Sequence, residues 1–277
     1  MANPDPAMRA VLEQLAAQRV GLPNRYELAF PQARSQLLHE RLPWLADGPP
    51  CGSTERAVRD GARAFGMRVY QPANAARGRM LIYLHGGGWC VGSPATHDNI
   101  VRRLAAGLDC ETWSIDYALG PEVPFPAGLL DCVAAIELAA RERPGARLIV
   151  AGDSAGANLA LDAAMRLRDQ GRTSIEALLL FYGVYTDACD GPSMEAYGDG
   201  RFGLSRAAHQ RYLEAYAGPR RGQAADLAPA FALQAGTDLR GLPRSWLTVA
   251  ELDILRDQSH ALAEKLRAAH GRVQPHE

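Results

Sequence analysis

The pentapeptide Gly-Asp-Ser-Ala-Gly at residues 152–156 has the residue types and spacing that point most directly to chemistry. It follows an apolar run predicted to be a strand, residues 147–151, and it opens an alanine-rich helical pattern. Glycines on both sides of a serine permit a sharp strand-to-helix turn that exposes the serine Oγ, and the amides of the helix N-terminus face developing negative charge. The spacing predicts that Ser154 is a nucleophile. The alternative is an ordinary strand–turn–helix corner with an incidental serine.

A second glycine-rich segment, His-Gly-Gly-Gly-Trp at residues 85–89, ends another apolar run. Consecutive glycines let backbone amides approach an oxyanion without obstruction by side chains. The alternatives are a phosphate-binding loop and a plain turn, but no Lys-Ser or Lys-Thr follows, which disfavours a nucleotide loop. His85 itself is interpreted as a structural histidine that holds the loop.

An acidic residue that could orient a base follows the predicted strand Ser245–Ala250. Asp253 lies just beyond that strand, at the carboxyl edge where sites form in α/β sheets. Glu251 and Asp257 are the alternatives. Asp257 fits better as an acidic residue in the first turn of the following helix.

The elements that position these residues alternate along the chain between strand and helix, which predicts an α/β fold with a mostly parallel central sheet flanked by helices. Strands are predicted at 80–84, 112–117, 147–151, 177–182 and 245–250, with an earlier antiparallel strand around Arg68, and helices at about 98–108, 126–141, 155–170 and 257–270.

Two stretches interrupt this alternation. Residues 1–50 predict one or two amphipathic helices followed by a Pro/Gly stretch, and residues 188–240 contain a helical insert around 205–216. The predicted organisation is an N-terminal helical cap over 1–50 and an α/β domain over 51–277, with a cap insertion at about 188–240 and a last strand that is only begun.

Composition excludes several function classes. The 277 residues carry 30 basic and 31 acidic side chains, and the net charge of −1 gives no electrostatic reason to expect a nucleic-acid partner. No run of apolar residues is long enough to span a membrane. Five widely spaced cysteines without a CxxC pair disfavour a disulfide framework and a thiolate metal site. These features predict a soluble cytoplasmic protein without a metal or other cofactor.

Together the two glycine motifs resemble those of the hormone-sensitive-lipase-like α/β hydrolases, and within them the bacterial acetyl esterases. The similarity runs from about Arg68 to the C-terminus and includes Asp-Tyr-Ala-Leu-Gly-Pro-Glu at 116–122 and Glu-Leu-Asp-Ile-Leu-Arg-Asp at 251–257. It implies a Ser–Asp–His triad in chain order. It assigns Ser154 as nucleophile and Asp253 as orienting acid, and the oxyanion-hole amides to Gly86, Gly87 and Ala155. The family's usual arginine and alanine in the first segment are Ala118 and Gly120 here, a departure expected to loosen this loop.

The implied activity is hydrolysis of short-chain acyl esters, from acetyl to butyryl, through an acyl-enzyme, with a small-molecule ester as substrate. Five aromatic residues of the insertion are equally consistent with an acyl pocket and with packing of the cap: Tyr197, Phe202, Tyr212, Tyr216 and Phe231. The alternative function is a weak or inactive ligand-binding homologue, like the plant hormone receptors of the same superfamily.

The triad histidine is the residue that the sequence does not supply where the resemblance implies it. The family places it about thirty residues after the aspartate, beyond the last strand, and this position falls past Glu277. His276 is the nearest histidine, but it is expected at the wrong end of that strand to act as base. The sequence therefore predicts either a weakly active, oligomer-prone enzyme, in which residues 245–250 form an unpaired sheet edge, or an altered C-terminus.

Overall fold

The structure, a computed structural model, describes residues 4–76, 78–172, 175–218, 231–270 and 273–276, and for residues 270 and 273–276 it describes the backbone alone. The helices are α1 (Pro6–Gln18), α2 (Phe30–Leu45), α3 (Asp98–Leu108), α4 (Ala127–Glu142), α5 (Ala155–Asp169), α6 (Pro192–Tyr197), α7 (Arg206–Ala217) and α8 (Arg256–His270). The strands are β1 (Gly52–Asp60), β2 (Arg63–Gln71), β3 (Arg79–Leu84), β4 (Glu111–Asp116), β5 (Arg147–Asp153), β6 (Ile175–Phe181), β7 (Arg244–Thr248) and β8 (Val273–His276).

The strands form one sheet in the order β1-β2-β4-β3-β5-β6-β7-β8, in which β1, β2 and β4 pair antiparallel and the remaining neighbours pair parallel. The predicted α/β architecture is confirmed. The predicted open edge at β7 is wrong, because β8 pairs with it from Ser245 to Thr248. In the described sheet β8, and not β7, is therefore the edge strand. An unpaired β7 edge gives no reason to expect oligomers.

Side chains of β3 show why an unbroken apolar run forms a central strand. Successive residues of a strand point to opposite faces, so Leu81 and Tyr83 pack towards Val101 and Ala105 of α3, while Ile82 and Leu84 join the larger core with α4 and α5. Both faces are covered by helices. The carboxyl ends of the parallel strands consequently meet at one edge, where the glycine-rich motifs lie.

Two segments outside the sheet lie against this edge. Helix α1 buries no residue, and α2 buries Ala33, Leu37 and Glu40, so these helices, where the sequence predicts one or two amphipathic ones, have at most a narrow buried face. Arg211 of α7 donates to the carbonyls of Tyr26 and Leu28. The N-terminal segment and the insertion therefore contact each other directly.

Asp162 of α5 gives a testable pH dependence of stability. Its side chain is fully buried, and among the described residues its oxygens have no hydrogen-bond partner, with the Arg166 guanidinium 3.5 Å away. Burial raises the pKa of Asp162 to about 8. Above pH of about 4 the unfolded state ionises while the folded state remains neutral, so stability falls as the pH rises towards 8.

We expect Asp162→Asn to remove that penalty, because asparagine is neutral at every pH. The variant should be more stable than the wild type at pH 7 by a few kcal/mol, and the difference should shrink at pH 4.5. Urea unfolding of both proteins at the two pH values measures it. A stability difference that does not change with pH would contradict the assignment.

Candidate active site

Ser154 occupies a strained turn between β5 and α5. Its backbone has φ 53° and ψ −119°, a conformation that non-glycine residues rarely adopt and that is typical of functional sites. The end of β6 and the residues after it hold this turn. The Ser154 amide donates to the Phe181 carbonyl (2.8 Å), and the Ser154 carbonyl accepts from the Val184 amide (3.4 Å). Gly156 is required here, because a Cβ would lie 1.9 Å from the Leu84 carbonyl oxygen.

The glycine loop after β3 faces this turn, but its amides are used differently from the prediction. The Gly86 amide donates to Asp153 Oδ1 (2.8 Å), so the assignment of Gly86 as an oxyanion donor is corrected: its N–H already has a buried carboxylate acceptor. Within the described residues the amides of Gly87, Gly88 and Ala155 have no acceptor. These three N–H groups are available to a negatively charged oxygen.

Asp153 anchors the loop to the elbow. Besides the Gly86 amide, its carboxylate accepts a hydrogen bond from the Tyr83 hydroxyl (2.7 Å), and its other oxygen lies 3.5 Å from His97 Nε2. Burial alone would raise the pKa of Asp153, but its interaction with His97 and the hydrogen bonds from Tyr83 and the Gly86 amide hold it well below its usual value. Asp153 is therefore ionised and fixed at neutral pH.

His85 lies beneath the loop and is fully buried. Its Nδ1 donates to the Gly86 carbonyl (2.9 Å), and its ring stacks on Tyr117 with centroids 4.3 Å apart. Burial, together with the nearby His97, lowers the pKa of His85 to about 3. The imidazole is neutral, and these contacts support the structural role predicted for it.

Asp253 lies in the turn between β7 and α8, half-buried, and its Oδ1 accepts a hydrogen bond from the Leu255 amide (2.9 Å). Burial raises its pKa, partly offset by that bond. Asp257, one alternative acid, lies in the first turn of α8, as predicted, and its Oδ2 accepts a hydrogen bond from the Ser193 amide of α6 (2.6 Å). The other alternative, Glu251, is exposed on the same turn as Asp253.

Most of the predicted groups line one cleft of about 680 Å³. Ser154, Asp253, Gly86 and Gly87 all line it, together with Gly88. Among the described histidine side chains none is hydrogen bonded to the Ser154 hydroxyl. The side chain of His276 lies outside the described residues; its backbone pairs with Thr248, at the carboxyl end of β7.

The aromatic residues of the insertion divide into two groups. Tyr197, Phe202 and Tyr212 line the cleft. Tyr216 and Phe231 instead pack on Trp89, the former stacked with ring centroids 4.3 Å apart. The first group is therefore placed to contact a molecule bound in the cleft, and the second packs against Trp89 of the glycine loop.

Comparison with known proteins decides the family. A protein-family model described as an alpha/beta hydrolase fold matches residues 81–277. The chain belongs to the hormone-sensitive-lipase-like α/β hydrolases. Curated acetyl esterases from Salmonella schwarzengrund and Salmonella typhi are each 34% identical to it over 242 residues, which are 85% of this chain and 73% of theirs.

Solved esterases have the same architecture as this α/β hydrolase. An ester hydrolase from the metagenome of Lake Arreo, complexed with a bipyridine phosphonate derivative, is 34% identical with a TM-score of 0.88, over 98% of this chain and 88% of the other. A hyperthermophilic esterase from the archaeon Pyrobaculum calidifontis is 29% identical with a TM-score of 0.86, over 99% and 89% of the two chains.

Sequence reasoning did not single out Tyr182 or Asp153 of this α/β hydrolase. Tyr182 follows β6 with φ 37°, lines the cleft and is 36% exposed. Its neighbours Phe181 and Val184 bond the Ser154 backbone, so Tyr182 stands beside the nucleophile elbow. Nothing in the local sequence signals that φ. Asp153, by contrast, lies inside the Gly-Asp-Ser-Ala-Gly motif, and its position next to the serine is a signal that could have identified it as a site residue.

In the described part of the chain no cluster of histidine, cysteine or acidic side chains could hold a metal ion. The helices of the same residues include none with the length and apolarity needed to cross a bilayer.

Proposed function

We propose that Ser154 hydrolyses short-chain carboxylic esters through a covalent acyl-enzyme. The protein is a serine carboxylesterase: its curated relatives are acetyl esterases and its structural neighbours include esterases. The observation that carries the role of Ser154 is its position on a strained turn that shares one cleft with the unbonded amides of Gly87 and Gly88.

The proposed reaction follows from this geometry. Ser154 Oγ attacks the ester carbonyl carbon, and the carbonyl oxygen becomes an anion that accepts hydrogen bonds from the amides of Gly87, Gly88 and Ala155. The base takes the proton of the Ser154 hydroxyl and passes it to the alcohol oxygen as the bond to that oxygen breaks, and the acyl group stays on Ser154. Water then attacks the acyl-enzyme, the base transfers a proton of that water to Ser154 Oγ, and the carboxylic acid is released. Asp253 is proposed to orient the base, and His276 remains the histidine that the sequence offers for that role.

The acyl group is proposed to be short. Tyr197 and Phe202 stand edge to face with centroids 5.8 Å apart, and both line the cleft with Tyr212. We propose that these three aromatic rings, which line the same cleft as Ser154, restrict the space open to a long acyl chain. The acetyl esterase relatives are consistent with this.

Both segments that line the cleft from outside the sheet are proposed to form a cap, over residues 1–50 and about 188–240. Met8, Leu12 and Leu37 contribute from the first segment, and the aromatic residues from the second. We further propose that the enzyme acts in the cytoplasm without a nucleic-acid partner, because all five cysteines are free thiols and the net charge is near zero. Homo-oligomerisation stays a prediction.

Hydrolysis of p-nitrophenyl acetate, butyrate and octanoate tests the proposed function. We expect Ser154-dependent hydrolysis with kcat/KM for butyrate at least about tenfold higher than for octanoate. Phe202→Ala should reduce that ratio, because it removes a ring from the cleft wall. Val123→Ala, an exposed change outside the cleft, serves as the matched control. An octanoate preference in the wild type would contradict the short-chain proposal.

The ligand-binding alternative is not favoured, since the curated and structural relatives named above are hydrolases. The intact elbow and the unbonded amides also have a use in acyl transfer that a simple binding pocket does not require.

A further inference from the structure

Arg34 of α2 makes a set of contacts that the reaction outlined above does not use. Its Nε donates to the Cys90 carbonyl and its Nη2 to the Gly120 carbonyl, each at 2.8 Å. The same guanidinium binds Glu122 through two hydrogen bonds, of 3.1 and 2.6 Å. A planar guanidinium can serve several acceptors at once in fixed directions, which an ammonium cannot do equally well. Arg34 thus joins the N-terminal segment to two loops of the α/β domain.

The Cys90 carbonyl belongs to the loop that carries the oxyanion amides. The Gly87 carbonyl accepts from the amides of Cys90 (3.2 Å) and Val91 (3.0 Å), and the Trp89 carbonyl accepts from the Gly120 amide (3.0 Å). Arg34 therefore bonds two neighbours of Trp89. One is Cys90, the next residue in the chain, and the other is Gly120, whose amide donates to the Trp89 carbonyl. Because the Gly87 carbonyl and the Gly88 amide belong to one peptide plane, a shift of the Cys90 end of the loop is expected to turn the Gly88 amide and to displace Gly87.

Other contacts hold different parts of the same loop. Its start is fixed by Asp153 at the Gly86 amide, and its middle by the Trp89 indole, which donates to Asn158 Oδ1 (3.1 Å). In the described residues, Arg34 is the side chain whose hydrogen bonds fix the carbonyl of Cys90, at the loop's end. Ala33 and Leu37, on either side of Arg34 along α2, pack with Cys90 and Val91. The sequence predicts a loosened loop at Ala118 and Gly120. In the structure, however, the Gly120 amide donates to the Trp89 carbonyl and the Gly120 carbonyl accepts from Arg34.

We infer that Arg34 is a positioning residue for the oxyanion hole, so that the N-terminal cap helix sets the orientation of the Gly87 and Gly88 amides. This inference rests on the proposed function. Arg34 touches neither the substrate nor the nucleophile in this account. Arg34 acts through the Gly87 and Gly88 amides, which stabilise the charge that develops on the carbonyl oxygen. It does not contribute to the binding of the neutral ester.

Steady-state kinetics of Arg34→Gln test the inference. We expect kcat for p-nitrophenyl acetate to fall by about 10- to 100-fold with KM changed less than about threefold, because amides displaced by a fraction of an ångström lose transition-state stabilisation. Inhibition by an alkyl trifluoromethyl ketone, whose adduct places an anion in the hole, should weaken by the same factor as kcat/KM. Guanidinium chloride at non-denaturing concentration should partly restore kcat in Arg34→Ala, since the site is 28% exposed.

Arg103→Gln is the matched control. Arg103 of α3 also ties the N-terminal segment to the α/β domain, through the Asp47 carbonyl (2.8 Å), but it does not touch the glycine loop. Its kcat should equal that of the wild type. Should Arg34→Gln not fold, Arg34→Lys provides the same comparison with the charge retained. A folded variant with wild-type kcat and wild-type ketone inhibition, or one changed in KM alone, would overturn the inference. A wild type without Ser154-dependent hydrolysis would instead overturn the proposed function.

Discussion

Ser154→Ala should lower kcat for p-nitrophenyl acetate by at least about 10³-fold, because the covalent route needs an oxygen nucleophile at this position. KM should change little, since the cleft walls and the oxyanion amides remain in place. Alanine is smaller than serine and keeps the same backbone requirement at φ 53°, so the fold should be unaffected. Stopped-flow or plate assays of purified wild type and variant measure the difference.

Ser35→Ala is the control for removal of a serine hydroxyl. Ser35 is exposed on α2 and bonds the Pro31 carbonyl one turn earlier. Its activity should equal that of the wild type. If Ser154→Ala retains a tenth or more of wild-type kcat, the nucleophile has been assigned to the wrong residue.

Gly87→Ala is expected to have the second largest effect, a loss of about 10²–10³ in kcat. Gly87 has φ +125°, and a Cβ there would lie 2.1 Å from the Val91 carbonyl oxygen, so the peptide must rotate. That rotation moves the Gly87 amide away from the oxyanion. The rate should be normalised to folded protein measured by circular dichroism, because the same clash lowers stability.

Gly145→Ala separates strain from catalysis. Gly145 also has a positive φ, +84°, but nothing lies within 4 Å of an added Cβ. We expect it to cost stability of order 1 kcal/mol without changing kcat. Equal losses of kcat in both variants would show that the Gly87 amide has no special part in the reaction.

The sequence predicted best those strands that are buried on both faces. β3 and β5 are covered on both faces, so their central residues, 80–84 and 148–151, are mostly apolar, and each run leads into a glycine motif. β1 was missed because it is a sheet-edge strand, mostly exposed and polar, from Gly52 to Asp60. The predicted unpaired edge at β7 is wrong because residues 273–276, which the sequence indicates only as the beginning of a last strand, already pair with it.

The candidate site divides in the same way. Ser154 and the glycine loop were predicted because their signals are local and contiguous. The use of the Gly86 amide by Asp153 could not be predicted, because it depends on where a carboxylate points in the folded chain. The same holds for Arg34, which lies in a helix with no motif, and for Tyr182, whose ring reaches the cleft through an unusual backbone angle.

The proposed esterase reaction depends on a covalent bond between the Ser154 hydroxyl and an acyl-type electrophile in the oxyanion cleft. Incubation with diisopropyl fluorophosphate, followed by intact-protein mass spectrometry and peptide mapping, tests it most directly. The account predicts one phosphoryl adduct per chain, on the peptide that contains Ser154, with loss of esterase activity in proportion to labelling. Labelling of another residue, or full esterase activity in fully labelled protein, would contradict it.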